Sequence, residues 1–316
     1  MNEIPKNQYT IALDAMSGDH GPEIVVRAAN KSLDKHKNLS VIFFGKKEMI
    51  GSLCSSIIGD SSRISIVDTK DIIEMSDSPV DSIRNKKDSS MRVAINLVKD
   101  GKADACVSAG NTGALMSISR FVLKTIDGVD RPAIMSAVPT LTGPTHVLDL
   151  GANVDSKPET LLQFAIMGSI AVQNTEKIDN PSVGLLNVGT QELKGNDKSQ
   201  ETAELLKKSS LNYIGFVEGD DIYKGKVDVI VCDGFEGNIA LKASEGVAHM
   251  FSHFIKKSFT KNLYTKFVAL IAKPVMNDFK SRVDPGKYNG ASLLGLKGVV
   301  VKSHGNADID LSLIHI

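Results

Sequence analysis

The stretch Val107–Leu115, VSAGNTGAL, joins an apolar run to a segment with helical periodicity. Two glycines, a serine, an asparagine and a threonine fall between Ser108 and Gly113. A strand-to-helix turn of this composition is compatible with two roles. Glycine permits a tight turn or close packing of helix on strand. The backbone N–H groups that it frees, together with a helix N terminus, also form an anion site.

Apolar runs like the one before this turn recur along the chain. They are YTIALD (9–14), VIFFG (41–45), ISIVD (64–68), ACVSAG (105–110), AIMSAV (133–138), HVLDLG (146–151), VGLLNVG (183–189), VDVIVCDG (227–234) and GVVVKSHG (298–305). Their apolarity is continuous rather than alternating, which is typical of strands buried on both faces of a parallel sheet.

Helical patterns with ordinary start and stop signals lie between most of these runs. Pro22 and Pro158 stand at first helical positions, and the segment SSMRVAINLVKDG begins with serine and ends at Gly101. The alternation of strand and helix predicts a doubly wound α/β fold with a largely parallel sheet. We expect a single α/β domain over residues 1–316.

Composition limits the class of protein. Lys plus Arg and Asp plus Glu both number 37, so the formal net charge is zero, which argues against a nucleic-acid-binding protein. The three cysteines are far apart in sequence and favour the reducing cytosol. The polar N terminus does not resemble a signal peptide, and no apolar run reaches the roughly 18 residues of a membrane span. We therefore expect a cytoplasmic protein.

Polar glycine-rich turns follow six of the predicted strands. They are Asp14–Gly21, Ser108–Gly113, Asp149–Asn153, Asn187–Thr190, Asp233–Asn238 and Ser303–Asn306. In doubly wound sheets, ligands bind outside the carboxyl ends of the strands. A single turn of this kind is best explained by packing, but six with the same chemistry favour one rim that binds an oxyanion or phosphate.

Other common site motifs are missing. The chain has no G-x-G-x-x-G fingerprint after a strand and no G-x-S-x-G elbow, and GASLLGLKG (290–298) lacks the Gly-Lys-Ser/Thr of a phosphate loop. Glu245, His249 and His253 are spaced four apart on a predicted helix. This row is compatible with zinc, but it more often forms the polar face of an amphipathic helix.

The segment 247–282 is predicted to be amphipathic, helical and basic. Phenylalanines and other apolar residues recur at helical spacing, and seven cations face the single acid Asp278, a local charge of +6. Pro274 is expected to divide the segment into two helices. The pattern is compatible with core packing, a dimer interface, an acidic partner or an anionic lipid surface.

The strand-end motifs carry a resemblance to a known family. The stretches are IALDAMSGDHGP, SAGNTGALM, RPAI, LDLGANVDSKPE, LLNVGTQELKGND, VCDGFEGNIALKASEG and SHGNAD, spread over residues 11–308. Together they resemble the bacterial phosphate acyltransferases of phospholipid synthesis, the PlsX family. Two departures stand out: Ser17 replaces the family's usual glycine, and the chain ends IDLSLIHI where the family continues with a further helix.

The resemblance implies an enzyme that reversibly transfers a fatty acyl group from acyl carrier protein to inorganic phosphate, giving acyl phosphate. It implies a fold similar to isocitrate dehydrogenases and phosphotransacetylases, a homodimer and no cofactor or metal. It also implies peripheral contact with the membrane or with a membrane glycerol-phosphate acyltransferase. Acyl-CoA transfer, a metal-dependent hydroxyacid dehydrogenase and a non-catalytic acyl-chain sensor remain as alternatives.

With the resemblance, residues receive expected roles. Lys194 and Arg131 would bind the dianion. The donors open to the oxyanion are the amides of Asn111, Asn153, Asn187 and Asn238 and the hydroxyls of Ser108, Thr112 and Thr190, with Asn238 counted among the catalytic residues. Either His20, also counted there, or His304 would protonate the leaving thiolate. Asp14, Asp19 and Asp233 would orient the cations. The expected substrate- and phosphate-binding set is Asp14, Gly18, Asp19, Ser108, Gly110, Asn111, Thr112, Gly113, Asn153, Asn187, Gly189, Asp233, Gly234, Gly237, Lys242, His304 and Gly305.

Overall fold

The computed structural model describes residues 8–59, 61–283 and 290–303. The chain divides into two compact units, one formed by residues 1–136 and 289–316, and the other by residues 137–288. We call them unit 1 and unit 2.

Strands and helices alternate along the chain, as the sequence predicts. In chain order they are β1 Tyr9–Asp14, α1 Pro22–Lys35, β2 Leu39–Gly45, α2 Lys47–Ile57, β3 Ile64–Asp68, α3 Pro79–Asn85, α4 Ser90–Lys99, β4 Ala105–Ser108, α5 Thr112–Leu123, β5 Ala133–Pro139, β6 Pro144–Leu148, α6 Pro158–Thr175, β7 Ser182–Leu186, α7 Asp197–Lys208, β8 Asn212–Val217, β9 Val229–Val231, α8 Gly234–Phe259, α9 Leu263–Val283, β10 Ala291–Leu294 and β11 Val299–Lys302.

The sheet of unit 1 is parallel except at one strand. Its order is β3-β2-β1-β4-β11-β10-β5. The strands β3, β2, β1, β4 and β11 run in parallel, whereas β10 is antiparallel to both β11 and β5. Two reversals restore the direction, so β5 runs the same way as β4. The prediction of a largely parallel α/β sheet is confirmed.

The predicted helix boundaries hold where local chemistry fixes them. Pro22 and Pro158 are the first residues of α1 and α6, where a missing N–H costs no helical hydrogen bond. Ser89 caps α4 by accepting a hydrogen bond from the backbone N–H of Arg92, and Gly101 just beyond that helix has a φ of 67°.

The core of unit 1 lies against β1 and β2. Leu13, Val41 and Phe43 on these strands are at most 1% exposed, and they pack against Val26 of α1 and Ile50 of α2. Burying such side chains stabilises by about 1.5–3 kcal/mol each. This packing fixes the strand ends from which the polar turns begin.

Unit 2 contains a parallel sheet in the order β6-β9-β7-β8. The central strand β9 is fully buried, and α6 packs on it at Gly168, where an added Cβ would lie 2.9 Å from Cγ1 of Val229. Because β9 lies between β6 and β7, the loops that follow these three strands are neighbours at one edge of this sheet.

The helices α8 and α9 contain the basic segment, and one boundary differs from the prediction. Pro274 lies inside α9, and the break falls at residues 260–262. Asn262 and Thr265 cap the second helix reciprocally: Oδ1 of Asn262 accepts from the Thr265 N–H at 2.9 Å, and Oγ1 of Thr265 accepts from the Asn262 N–H at 3.1 Å. This local cap starts a new helix upstream of Pro274.

The apolar residues of α8 and α9 are mostly exposed. Phe251, Phe254 and Phe267 are 57%, 55% and 62% exposed, and Leu270 is 70% exposed. Throughout α8, which the structure describes in full, only Gly234 and Gly237 are buried, both in its first turns. Burial in the core of unit 2 therefore does not account for the apolar face. Within the described ranges, no helix combines the length and apolarity needed to cross a bilayer.

Candidate active site

In unit 1, the ends of the neighbouring strands β1 and β4 meet through Asp14 and Ser108. The Ser108 hydroxyl donates to Oδ2 of Asp14 at 2.6 Å, and both residues are almost fully buried. Ser108 has one hydroxyl proton, and this bond uses it. The structure therefore gives Asp14 a serine partner, rather than the cation expected from the sequence.

The turn after β4 is held by the same serine. Oγ of Ser108 accepts the Gly110 N–H at 3.1 Å and lies 3.2 Å from Oγ of Ser17. A Cβ added at Gly110 would lie 2.6 Å from the methyl carbon of Met91 and 3.1 Å from Cβ of Ser17. A side chain at position 110 would therefore displace the end of Met91 and press on Ser17, whose hydroxyl belongs to this buried network.

Asn111 caps α5. Its Oδ1 accepts the Ala114 N–H at 3.0 Å, and its Nδ2 donates to the carbonyls of Met75 at 2.9 Å and Asp77 at 3.1 Å. The side-chain amide is therefore engaged in shaping the loop. Thr112 and Gly113, which follow, form the first turn of α5, where unpaired backbone N–H groups favour an anion.

The loop after β1 carries three of the expected site residues. Gly18 has a φ of 95°, and Asp19 and His20 are exposed. The loop shares the carboxyl edge of the unit 1 sheet with Ser108, because β1 and β4 are adjacent and parallel.

Arg131 is not at this edge. It precedes β5 by two residues, and β5 runs in the same direction as β4, so Arg131 lies at the amino edge of the unit 1 sheet. The length of a strand separates it from Ser108. The sequence analysis grouped Arg131 with the strand-end turns because the motif RPAI stands near them in the chain. The direction of β5 instead puts Arg131 at the opposite edge of the unit 1 sheet.

The last strand of unit 1, β11, ends beside β4 at the carboxyl edge of the sheet. The Ser303 N–H donates to the Ser108 carbonyl at 2.9 Å, so the end of β11 lies beside the end of β4. His304 and Gly305 lie outside the described residues.

In unit 2, the loop after β6 is organised by a buried carboxylate. Asp149 is 0% exposed and accepts hydrogen bonds from the Ala152 and Asn153 N–H groups at 3.1 and 2.6 Å. The Asn153 side-chain Nδ2 donates to the same carboxylate at 2.9 Å. The amide of Asn153 therefore helps to hold the loop.

Asp233, after β9, joins three segments of unit 2. Its carboxylate accepts N–H groups of Phe235 at 2.9 Å, Asp155 at 3.2 Å and Ser156 at 2.5 Å, and it caps α8. The Lys198 ammonium lies 3.3 Å away. Burial raises the pKa of Asp233, but these hydrogen bonds and Lys198 outweigh burial and hold it below its usual value.

The cation oriented by Asp233 is thus Lys198, which sequence reasoning missed. Burial opposes its charge, but the carboxylates of Asp233, Glu236 and Asp155 outweigh burial and raise its pKa. The only sequence signal was position: Lys198 stands in the first turn of α7, just after a strand-end loop.

Two glycines bring α8 against the β6 loop. A Cβ at Gly237 would lie 1.9 Å from the Asp149 carbonyl oxygen, and one at Gly234 would lie 2.3 Å from the Asn153 carbonyl oxygen. The Gly234 N–H donates to that Asn153 oxygen at 2.9 Å. Both positions therefore exclude any side chain, and the contact joins two strand-end loops.

The loop after β7 is pinned by Asn187. Its Nδ2 donates to the carbonyls of Gly189 at 3.1 Å and Lys194 at 3.0 Å. The side chain of Lys194 passes close to Gly189, where a Cβ would lie 3.1 Å from Cδ of the lysine. Lys194 is exposed, so the loop presents an ammonium group at the carboxyl edge of the unit 2 sheet.

Two of the expected donors have no hydrogen-bond partner in the described part of the chain. Neither the Lys194 ammonium nor the Asn238 side-chain amide makes a hydrogen bond there, and both residues are exposed. Asn238 stands near Gly151 in the loop after β6. Lys242, farther along α8, is paired with Glu245 at 2.8 Å on the surface.

Thiol and metal chemistry find no support in the geometry. Burial, with a smaller effect of nearby carboxylates, raises the pKa values of the Cys106 and Cys232 thiols well above their usual value, so neither is an activated nucleophile. In residues 8–59, 61–283 and 290–303, no three His, Cys, Asp or Glu residues form a group able to hold a metal ion.

Comparison with known proteins places the chain. The model of the family described as "Fatty acid synthesis protein" matches residues 9–313. A phosphate acyltransferase of Ruthia magnifica subsp. Calyptogena magnifica is 59% identical over 97% of this chain and 91% of its own length. One of Methylococcus capsulatus is 57% identical over 95% of this chain and 88% of its own length.

Solved structures support the fold. EutD phosphotransacetylase from Staphylococcus aureus aligns with a TM-score of 0.62 at 18% identity, over 97% of this chain and 91% of that chain. A phosphotransacetylase from Streptococcus pyogenes aligns with a TM-score of 0.63 at 18% identity, over 97% and 92%. The predicted fold class is confirmed. The chain belongs to the fatty acid synthesis protein family, which includes the bacterial phosphate acyltransferases, and it is an acyltransferase.

Proposed function

We propose that this acyltransferase reversibly transfers a fatty acyl group from acyl carrier protein to inorganic phosphate, giving acyl phosphate for phospholipid synthesis. The observation that carries the proposal is the contrast among the polar side chains at the strand ends. The side-chain amides of Asn111, Asn153 and Asn187 donate hydrogen bonds that hold the loops at the strand ends. Lys194 and Asn238 remain available to a substrate.

The chemistry needs an anion site and oxyanion donors rather than a nucleophilic side chain. A phosphate oxygen attacks the thioester carbonyl, the tetrahedral oxyanion collapses, and the carbon–sulfur bond breaks to release a thiolate that takes up a proton. Lys194 would hold the phosphate dianion and Asn238 would donate to the oxyanion. One such donor is worth about 3–4 kcal/mol, and positioning of the two reactants about 7–11 kcal/mol.

The remaining roles are divided between groups that would contact the substrate and buried groups that would position them. The first turn of α5, with Thr112 and Gly113, offers backbone N–H groups to an anion. His20 would protonate the leaving thiolate, because it is exposed in the loop after β1. Asp14, Ser108, Asp149 and Asp233 would act by positioning, because each is buried and its side chain is hydrogen-bonded to backbone or side-chain groups at the strand ends. No resident metal or cofactor is part of the proposal.

The exposed apolar face of α8 and α9 supports peripheral membrane association, and we propose that the protein is a cytoplasmic homodimer. Phe251, Phe254 and Phe267 are about half exposed or more, and Lys256, Lys257 and Lys261 lie among them. Apolar side chains flanked by lysines fit an anionic lipid surface. The same association would bring acyl phosphate to a membrane glycerol-phosphate acyltransferase.

The test mixes the full-length protein, phosphate and acyl carrier protein loaded with a long acyl chain, and traps acyl phosphate with hydroxylamine. Formation of hydroxamate that depends on both phosphate and enzyme is expected. A parallel reaction replaces the donor with acyl-CoA of the same chain length. Turnover with acyl-CoA alone would assign a different donor, and no turnover with either would refute the proposed reaction.

A further inference from the structure

Two cations lie against an exposed aromatic ring near the C-terminal end of α5, away from the strand-end turns of unit 1. Phe121, on α5 of unit 1, is 51% exposed. The guanidinium carbon of Arg92, on α4, lies 4.9 Å from the centre of its ring, and Nζ of Lys124, just beyond α5, lies 5.0 Å from it. Cation–π attraction holds both charges over the ring. We call these three residues the Phe121 cluster.

The positive charge of the cluster is not balanced locally. Within the described ranges, neither Arg92 nor Lys124 contacts a carboxylate. Burial lowers the pKa of Arg92, and its Nη1 atom is buried without a hydrogen-bond acceptor. The guanidinium has thus already lost part of its hydration, so an arriving anionic group gains attraction at a reduced desolvation cost.

The shape of the cluster favours a protein over a small anion. Free phosphate would meet the charges but leave the ring of Phe121 in water. A protein surface covers the ring and pairs with the charges around it. Aromatic residues and arginine are the side chains most enriched at the centres of such contacts.

The position also fits a carrier-borne substrate. Phe121 is ten residues along α5 from Asn111, which corresponds to about 15 Å at 1.5 Å per residue. A donor that presents its acyl group on a flexible prosthetic arm must touch the enzyme at a distance from the reacting carbonyl. We propose that the Phe121 cluster is a docking site for the acidic protein that carries the acyl group, an inference that rests on the proposed function.

The test uses the double variant Arg92→Gln with Lys124→Glu and, separately, Phe121→Ala in the full chain. The matched control is Lys35→Glu with Lys46→Gln, which makes the same change of net charge at exposed residues of unit 1. Steady-state rates are measured with acyl-loaded carrier protein and with phosphate varied in turn. Binding of labelled carrier protein is followed by fluorescence anisotropy without phosphate, and urea midpoints verify folding.

We expect both cluster variants to raise KM and Kd for the carrier protein at least five-fold, with KM for phosphate unchanged. The control should match the parent. Added salt should weaken carrier binding to the parent more than to the double variant. The inference fails if the cluster variants bind carrier protein like the parent, if KM for phosphate rises equally, or if the control has the same effect. A parent that binds carrier protein but makes no acyl phosphate would refute the proposed function alone.

Discussion

The Nζ atom of Lys198 lies 3.3 Å from Oδ2 of Asp233, and this ion pair connects the first turn of α7 to the cap of α8. The carboxylate is 4% exposed and the lysine side chain 25% exposed. An attraction between groups so far removed from water is stronger than that of a surface pair. It makes the loops after β7 and β9 depend on one another.

Lys198→Met should lower the free energy of unfolding by about 1–3 kcal/mol at neutral pH, because it leaves a buried carboxylate without its cation. The pKa of Asp233 is lower in the folded protein, so its contribution is present above its unfolded value and is lost as pH falls through the folded value. The deficit of the variant should therefore shrink below about pH 4.

Urea unfolding at neutral and at acidic pH measures this difference. Lys208→Met is the matched control, because Lys208 is exposed in the last turn of the same helix. An equal deficit at both pH values would show that the lysine stabilises by packing of its aliphatic stem rather than by its charge.

Lys194→Ala should reduce kcat/KM for acyl phosphate formation by about a hundred-fold, the effect of losing a charge-assisted bond to the reacting groups. The fold should persist, because Lys194 is exposed. The hydroxylamine assay at varied phosphate measures the loss, with Lys208→Ala as control. Unchanged turnover at saturating phosphate would remove Lys194 from the site.

Arg131→Ala should cost less than Lys194→Ala in the same assay. Arg131 lies at the amino edge of the unit 1 sheet, whereas Asp14 and Ser108 lie at its carboxyl edge. A loss as large as that of Lys194→Ala would show that Arg131 contacts the substrate despite its place at the amino edge of the unit 1 sheet.

Changing Lys256, Lys257 and Lys261 to glutamate should abolish sedimentation with anionic liposomes. Each cation near such a surface contributes about 1 kcal/mol to the free energy of binding. Reversing three of them therefore removes more binding free energy than a weak, reversible association has. The matched control changes Lys35, Lys46 and Lys99, which are exposed in unit 1, to glutamate. Sedimentation of the first variant at the level of the parent would leave the exposed phenylalanines to another partner, such as a second copy.

His146 should make unfolding sensitive to pH. Burial lowers its pKa more than Glu176, 3.4 Å from Nε2, and Asp228 raise it, and Nδ1 has no acceptor in the described residues. Since the unfolded chain binds the proton more readily, stability should rise with pH up to about 6.5 and then level off. His146→Gln should flatten this rise in urea titrations from about pH 5 to 7; an unchanged slope would assign it to other groups.

Much of the fold was predictable from local chemistry. Apolar runs located most strands, and Pro22, Pro158 and Ser89 fixed helix starts. The antiparallel strand β10 escaped because ASLL is short and its direction is set by its neighbours rather than by its own sequence. At Pro274 the prediction was wrong: the proline lies inside α9, and the second helix starts instead at the Asn262 cap.

The site shows the same limit. The sequence pattern identified the polar strand ends, but it could not distinguish donors that are hydrogen-bonded within the protein from donors without a partner. Asn153 and Asn238 look alike in the sequence, yet only Asn153 is committed to a buried carboxylate. Likewise, the pairing of Lys198 with Asp233 joins residues 35 positions apart and depends on the order of β7 and β9 in the sheet.

The contact between Gly237 and the Asp149 carbonyl has a consequence for engineering. A Cβ at Gly237 or at Gly234 would overlap a backbone carbonyl of the loop after β6. A library over the first turns of α8 that substitutes either glycine will therefore yield mostly misfolded members. A library that keeps both glycines and varies the exposed Phe235 and Ile239 leaves this contact intact.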